Sequence, residues 1–303
     1  MDLKKIRLKK NIAGPFFVDS SCIDCGSCWR IDPKHFAPDR NTAYVHAQPN
    51  GTKEIQKAFL ALLDCPVSAI GASKEVTADC STDTFPIFVT KYSSGEVYYC
   101  GWSSRKSFGA SSWLIRSNNG NVLIDSPRWS PILAKRLLKM GGISQMILTH
   151  RDDVADHAQW SQSLRCERWI HEDDLDAAPD VENTLIGMRT LSLRQYLKLI
   201  PTPGHTQGSI VILLDDQQQI LFSGDHLWWD LEKQALVASK DYCWWSWAEQ
   251  LKSIKKLQDL DVRWLLPGHG HAKHFKEGEW KAAVEQTLQY EKDMGKPLSN
   301  ISL

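Results

Sequence analysis

The chain has 303 residues, enough for about two domains, with 36 basic side chains balanced by 36 acidic ones and 24% charged residues in all. A formal net charge of zero excludes nucleic acid as a main partner, because phosphate binding needs a net or patched positive field. Apolar runs such as "SIVILL" are far too short to span a bilayer, so a soluble chain without membrane contact is expected. At the N-terminus, Lys4, Lys5, Arg7, Lys9 and Lys10 form one basic cluster. No apolar run of signal-peptide type follows it, and it reads as a solvated arm. Docking to an acidic redox partner is the alternative.

Next come Cys22, Cys25 and Cys28, spaced C-x2-C-x2-C within "CIDCGSC". Thiolates at every third residue of a tight loop can converge on one cubane, and a fourth must then arrive from elsewhere in the fold. The segment "EIQKAFLALLD" has Ile55, Phe59, Leu62 and Leu63 at helical spacing, so it delivers Cys65 at a helix end, where Pro66 stops the helix. Gly26 lets the backbone pass close to the sulfurs. These residues, in "CIDCGSCWRIDPKHF" and "DCPVSAI", resemble the single-cluster bacterial ferredoxins over roughly residues 12 to 73. The resemblance implies a [4Fe-4S] cluster held by Cys22, Cys25, Cys28 and Cys65. A four-thiolate structural zinc is the runner-up, although zinc normally takes two C-x-x-C pairs. Such thiols point to a reducing, cytoplasmic compartment rather than a secreted disulfide scaffold. Cys80, Cys100, Cys166 and Cys243 lack any pattern and read as small buried apolar residues.

"GASKEVTADCSTDT" is small, polar and aperiodic, which sets a domain boundary near residue 80. Beyond it, "SSWLIRSNNGNVLID" is a hairpin around Asn119-Gly120. Ser130-Pro131 opens a helix that Gly141 can close. "SQMILT" is a short buried strand, and "SIVILLDDQQQILFSG" is a second hairpin. Ser246 to Glu249, "SWAE", is a capping box, followed by Trp247, Leu251 and Ile254 on one helical face. "VRWLLPG" is a last strand. Pattern alone gives an α/β or α+β sheet protein.

Four possible metal ligands follow such strands. His150 comes after "SQMILT", His205 lies in "IPTPGHTQGS", Asp225 ends "ILFSGD", and His269 lies in "PGHG". A lone histidine is usually structural, but repeated "strand, turn, ligand" units can share one sheet rim. The stretch "THRDDVADH" adds Asp152, Asp153, Asp156 and His157.

These segments resemble the metallo-β-lactamase-fold superfamily over about residues 85 to 285. The resemblance implies an αββα sandwich after the ferredoxin-like domain, an α+β chain overall, with domains at 1–80 and 81–303. It also implies that Asp225 bridges two metals. His150 and His205 would hold the first, and Asp156, His157 and His269 the second. The family's H-x-H-x-D-H stretch is altered here. Asp152 stands at the second histidine, and without a gap Val154 and Ala155 would fall on ligand positions. A two-residue insertion keeps Asp156 and His157 as ligands. The rival is a one-metal site of His150, His205 and Asp225, with Asp152 as an oxygen ligand. A carboxylate at that second position resembles the flavodiiron branch and shifts preference from zinc toward iron or manganese.

Metal-activated water attacking an ester, thioester, amide or phosphate is the first functional reading. Asp225 serves the metals, and Asp156 or Asp153 moves the proton. Thr149 and Thr206 orient the ligands beside them, and His226 and His271 stand next to ligands without a catalytic role. Trp228 and Trp229 wall a substrate pocket or pack the core, and Trp247 packs the core. The second reading is a redox enzyme whose cluster feeds a mono- or di-iron site. A non-enzymatic redox carrier or sensor is the third. Expected partners are a small-molecule substrate and a redox protein.

Overall fold

Around the thiols, short elements do the work of a larger core. In the computed structural model, which describes residues 6–294, β1 (Phe17–Val18), α1 (Ser27–Ile31), β2 (Phe36–Asp39), β3 (Thr42–Val45), α2 (Thr52–Asp64) and β4 (Ile70–Gly71) follow in order. Lys4 and Lys5 of the basic arm lie outside the described residues. β1 pairs antiparallel with β4, and β2 with β3. Phe16, Val18, Phe36 and Val45 fill the core between them. The expected helix before Cys65 is present as α2, but its most buried positions are Ala58, Ala61 and Asp64. Ile55 and Leu62 are only partly buried against the same core, and Phe59 is half-buried. Two alanines on the inner face let the α2 backbone lie close to its neighbours, which an apolar count of large residues overlooks. The aperiodic stretch after it contains one helical turn, α3 (Lys74–Thr77).

The chain divides into two compact units. The first takes residues up to Leu148 together with Asp152–Trp169, and the second takes Thr149–Arg151 and Ile170 onward. In the first unit, β5 (Ile87–Tyr92), β6 (Gly95–Tyr99), β7 (Trp113–Ser117) and β8 (Val122–Ile124) form an antiparallel run. The chain continues through α4 (Pro131–Lys139), β9 (Gln145–Ile147), α5 (His157–Leu164) and β10 (Glu167–His171). β9 pairs parallel with β8, and Glu167 to Trp169 pair parallel with β9. The predicted Asn119-Gly120 turn joins β7 to β8, with Gly120 at φ +95°. Ser130 caps α4, its hydroxyl accepting from the Leu133 N–H at 3.3 Å. Gly141 ends it at φ +109°.

The second unit adds β11 (Asn183–Leu185), β12 (Leu191–Arg194), β13 (Leu197–Pro201), β14 (Ile210–Leu214), β15 (Gln219–Gly224), β16 (Trp228–Asp230), β17 (Ala235–Val237), α6 (Trp247–Lys256), β18 (Val262–Pro267), β19 (Lys273–His274) and α7 (Glu279–Met294). Six of these strands form one sheet in the order β12-β13-β14-β15-β18-β19. Only the β15–β18 pair is parallel. Ser246 caps α6, its hydroxyl accepting from the Glu249 N–H at 3.4 Å. Leu213, Leu221, Val262 and Leu265 from the sheet pack with Ile254 of α6 and Trp280 of α7. Trp229 belongs to this core and packs edge-on against Phe275, so it is not a pocket wall. Trp247 is only half-buried. No helix of the described residues is long and apolar enough to cross a membrane.

Candidate metal centres

Cys22, Cys25, Cys28 and Cys65 line one recess, together with Ala43 and Ala69. Cys65 is the C-cap of α2, and its sulfur accepts from the Ala69 N–H at 3.2 Å. The Val67 and Ile70 amides also point at it. The Cys22 sulfur accepts from the Ala43 N–H at 3.3 Å and from the Asp24 amide. Several N–H donors on sulfur suit thiolates that share a negative cluster. Gly26 is left-handed at φ +81°, and a Cβ there would meet the Trp29 ring at 2.8 Å. Burial pushes all four thiols above their usual range, Cys28 furthest, while the N–H donors favour the thiolates. The donor set therefore fits a bound iron–sulfur group that takes the sulfurs as thiolates.

The second centre is built by strand ends. β15 and β18 run parallel, so their C-terminal residues leave the sheet side by side. The Gly268 N–H donates to the Gly224 carbonyl at 2.8 Å, joining the turns that carry Asp225 and His269. β14 is antiparallel to β15, which puts its start at the same end, just after the loop with His205. The Ile210 N–H donates to the Thr149 carbonyl at 2.8 Å and brings His150 there. The Nε2 atoms of His150, His205 and His269 lie 3.7, 4.0 and 3.5 Å from Oδ2 of Asp225. His150, His205 and Asp225 offer ligand atoms all within 4.8 Å of one another, and His269 stands outside that threesome. The His205 Nδ1–H donates to the Tyr242 carbonyl at 2.6 Å, and His150 Nδ1 meets the Thr149 hydroxyl at 2.9 Å. The His205 Nδ1 carries the ring proton, which leaves its Nε2 to carry the metal-binding lone pair.

Residues 18–72 match the model of the 4Fe-4S single cluster domain of ferredoxin I, and residues 149–269 match that of the metallo-beta-lactamase superfamily. The chain joins a single-cluster ferredoxin domain to a metallo-β-lactamase-fold domain. A solved structure of VMB-1 is similar at TM-score 0.52 and 16% identity, covering 70% of this chain and 98% of that one. The mono-zinc form of the metallo-β-lactamase FIM-1 from Pseudomonas aeruginosa is similar at TM-score 0.50 and 16% identity, covering 68% of this chain and 96% of that one. At such identity the likeness carries the fold. No curated protein gives a significant match.

The ligand expectations for "THRDDVADH" divide on this geometry. No group of three or more ligand-type side chains among the described residues includes Asp152, Asp156 or His157. Asp152 is exposed in a one-turn 3-10 segment. Asp156 has both oxygens engaged, Oδ1 by the Lys106 ammonium at 2.7 Å and Oδ2 by the Trp129 N–H at 2.8 Å. Burial alone would raise its pKa, but those two donors outweigh it and hold the carboxyl below its usual range. His157 begins α5, and the Arg168 guanidinium donates to its Nδ1 at 3.1 Å. An Nδ1 that accepts leaves the ring proton on Nε2, and a protonated nitrogen cannot bind a metal. Both residues are thus held by neighbours within the first unit. Asp153 is buried in the same turn, its carbonyl accepting from the Ser126 N–H.

One positioning residue of the lactamase-fold domain escaped the sequence reading. Asp174 is fully buried. Its Oδ2 accepts from the Arg151 N–H at 3.0 Å and the Thr206 hydroxyl at 2.6 Å, and its Oδ1 accepts from the Gly208 N–H at 3.1 Å. It ties the residue after His150 to the residue after His205. Thr206 was expected beside a ligand and does its work through this carboxylate. Gly224, at φ +49°, has no room for a side chain, because a Cβ would meet the Thr149 hydroxyl at 2.5 Å. His226 is buried, and burial lowers its pKa to about 3, so it is neutral. Trp228 packs over Gly270 in the His269 turn. His271 exchanges main-chain hydrogen bonds with Trp229.

Proposed function

We propose that the chain is a metal-dependent hydrolase whose site is formed by His150, His205, Asp225 and His269. The supporting observation is the convergence of three histidine Nε2 atoms on one carboxylate oxygen. Asp225 stands between the His150–His205 pair and His269, a placement that suits a carboxylate shared by two ions. A divalent metal held there, zinc or iron and manganese, lowers the pKa of water and polarises a carbonyl or phosphoryl oxygen of an ester, thioester, amide or phosphate. The chain's own contribution is orientation. Tyr242 fixes the ring tautomer of His205, Thr149 holds the His150 ring, and Asp174 holds the two loops together. Trp244 is an exposed aromatic beside the site, 6.2 Å from the His205 ring, centroid to centroid. Asp156 is committed to Lys106 and Trp129 and is not part of the proposed site.

The ferredoxin domain favours a second reading, in which a redox protein delivers electrons through the cluster to an iron site in a reducing, cytoplasmic setting. Hydrolysis needs no electrons, and a fused cluster domain supplies them. Anaerobically purified protein should be assayed for iron, sulfide, zinc and manganese, and then for turnover of a panel of esters, thioesters and phosphates. His205→Ala and Asp225→Ala should each lose at least one metal beyond the cluster iron, and His157→Ala should keep the wild-type content. Wild-type metal content in both His205→Ala and Asp225→Ala would remove the site. Two irons beyond the cluster, with no hydrolysis of any substrate, would replace the hydrolase by the redox reading.

A further inference from the structure

We propose that the Gly109 turn clamps the Cys25 corner of the cluster site and holds the Arg30 guanidinium where its charge favours the reduced cluster. The inference rests on the ferredoxin domain and is independent of the hydrolase reading. Gly109 lies beyond the expected domain boundary, in the loop between β6 and β7, yet it touches the cluster loop directly. Its carbonyl accepts from Arg30 Nη2 at 2.6 Å and from the Ser27 hydroxyl at 3.2 Å. Arg30 Nη2 also donates to Ser27 Oγ at 3.2 Å, and that oxygen lies 3.5 Å from the Cys25 sulfur. Gly109 is left-handed at φ +84°, and a Cβ there would lie 2.7 Å from Cβ and 2.9 Å from Sγ of Cys25. No other residue type fits between that turn and a cluster ligand without displacing one of them.

The same loop is fixed a few residues earlier. Oδ1 of Asp64 accepts from the Ser103 N–H at 3.0 Å, and Oδ2 accepts from the Tyr99 hydroxyl at 2.8 Å. Asp64 precedes Cys65, so segment 99–109 is tied next to two of the four ligands. Among the described residues, Asp64 is an acidic group whose charge reaches Arg30. Uptake of one electron adds one negative charge to a cluster, and a nearby cation out of bulk water stabilises that state. Removing the cation lowers the potential, and the Asp64 carboxylate left behind acts in the same direction.

The test is an anaerobic redox titration of the full-length holoprotein with dithionite, followed by visible absorption and by the spin signal of the reduced cluster. Arg30→Gln should lower the equilibrium constant for reduction at least tenfold, about 59 mV for a one-electron couple. Arg30→Lys, which keeps the charge, should stay near the wild type. Gly109→Ala keeps the arginine but displaces the clamp, and should shift in the same direction as Arg30→Gln. A wild-type midpoint in Arg30→Gln at equal iron and sulfide content overturns the proposal, as does an equal shift in Arg30→Lys and Arg30→Gln. If Arg30→Gln does not retain its cluster, Gly109→Ala decides, and an unchanged midpoint there overturns it.

Discussion

Single residues with two or three partners decide the most here. Asp174 spends its carboxylate on the Arg151 N–H, the Thr206 hydroxyl and the Gly208 N–H. Asp174→Ala leaves those buried donors without their acceptor and loosens the loops of His150 and His205 together. A metal-affinity loss of about 10- to 100-fold is expected, the range for removing a group that orients ligands. Competition with a chromophoric chelator measures it, and wild-type affinity would show that the loops hold themselves. Glu54 gives a pH-dependent case. The Lys34 ammonium, with help from the Asn50 N–H, holds its carboxyl at about 2 against an ordinary 4.5. A folded-state pKa depressed in this way contributes stability above pH 4.5 that fades as the pH falls toward 2. Thermal melts between those limits should show a smaller acid-induced fall in Glu54→Gln than in the wild type. Parallel curves would deny Glu54 a share of the acid sensitivity.

Helices and strands were legible where the signal was local. Ser130, Gly141 and Ser246 mark helix ends by chemistry that acts within four residues, and all three are found in those roles. The Asn119-Gly120 turn is equally local. The inner face of α2 was less legible, because burial there falls on Ala58, Ala61 and Asp64, and Asp64 is explained only by Ser103 and Tyr99, distant in sequence. α7 gives a stability prediction at this scale. Trp280 is buried, packs edge-on against Phe275, and donates its indole N–H to the Leu257 carbonyl at 2.9 Å. Trp280→Ala should destabilise the protein by about 3–5 kcal/mol, the range for deleting a large buried aromatic. Denaturant unfolding of the lactamase-fold domain measures this, and a change below about 1 kcal/mol would mean that α7 is not part of the cooperative core.

At the scale of the whole molecule, we propose that the chain is two domains joined near residue 80, with segment 99–109 also held against the cluster loop. The polar stretch from Ala72 to Thr84 buries little, though the Ser81 backbone exchanges hydrogen bonds with the Gln56 side chain. Limited proteolysis should cut first within 72–84, and first cuts inside the β5–β10 sheet would refute a junction there. The sequence by itself determined the four cysteines, the two family resemblances and the strand-end positions of His150, His205, Asp225 and His269. Those signals are spacing and turn chemistry, which a linear chain displays. Tertiary structure decided which neighbours the members of "THRDDVADH" meet. Lys106 and Trp129 claim Asp156, and Arg168 claims His157, from positions far along the chain. Such partners are invisible in a linear chain, because only the folded backbone sets which distant neighbour a side chain meets.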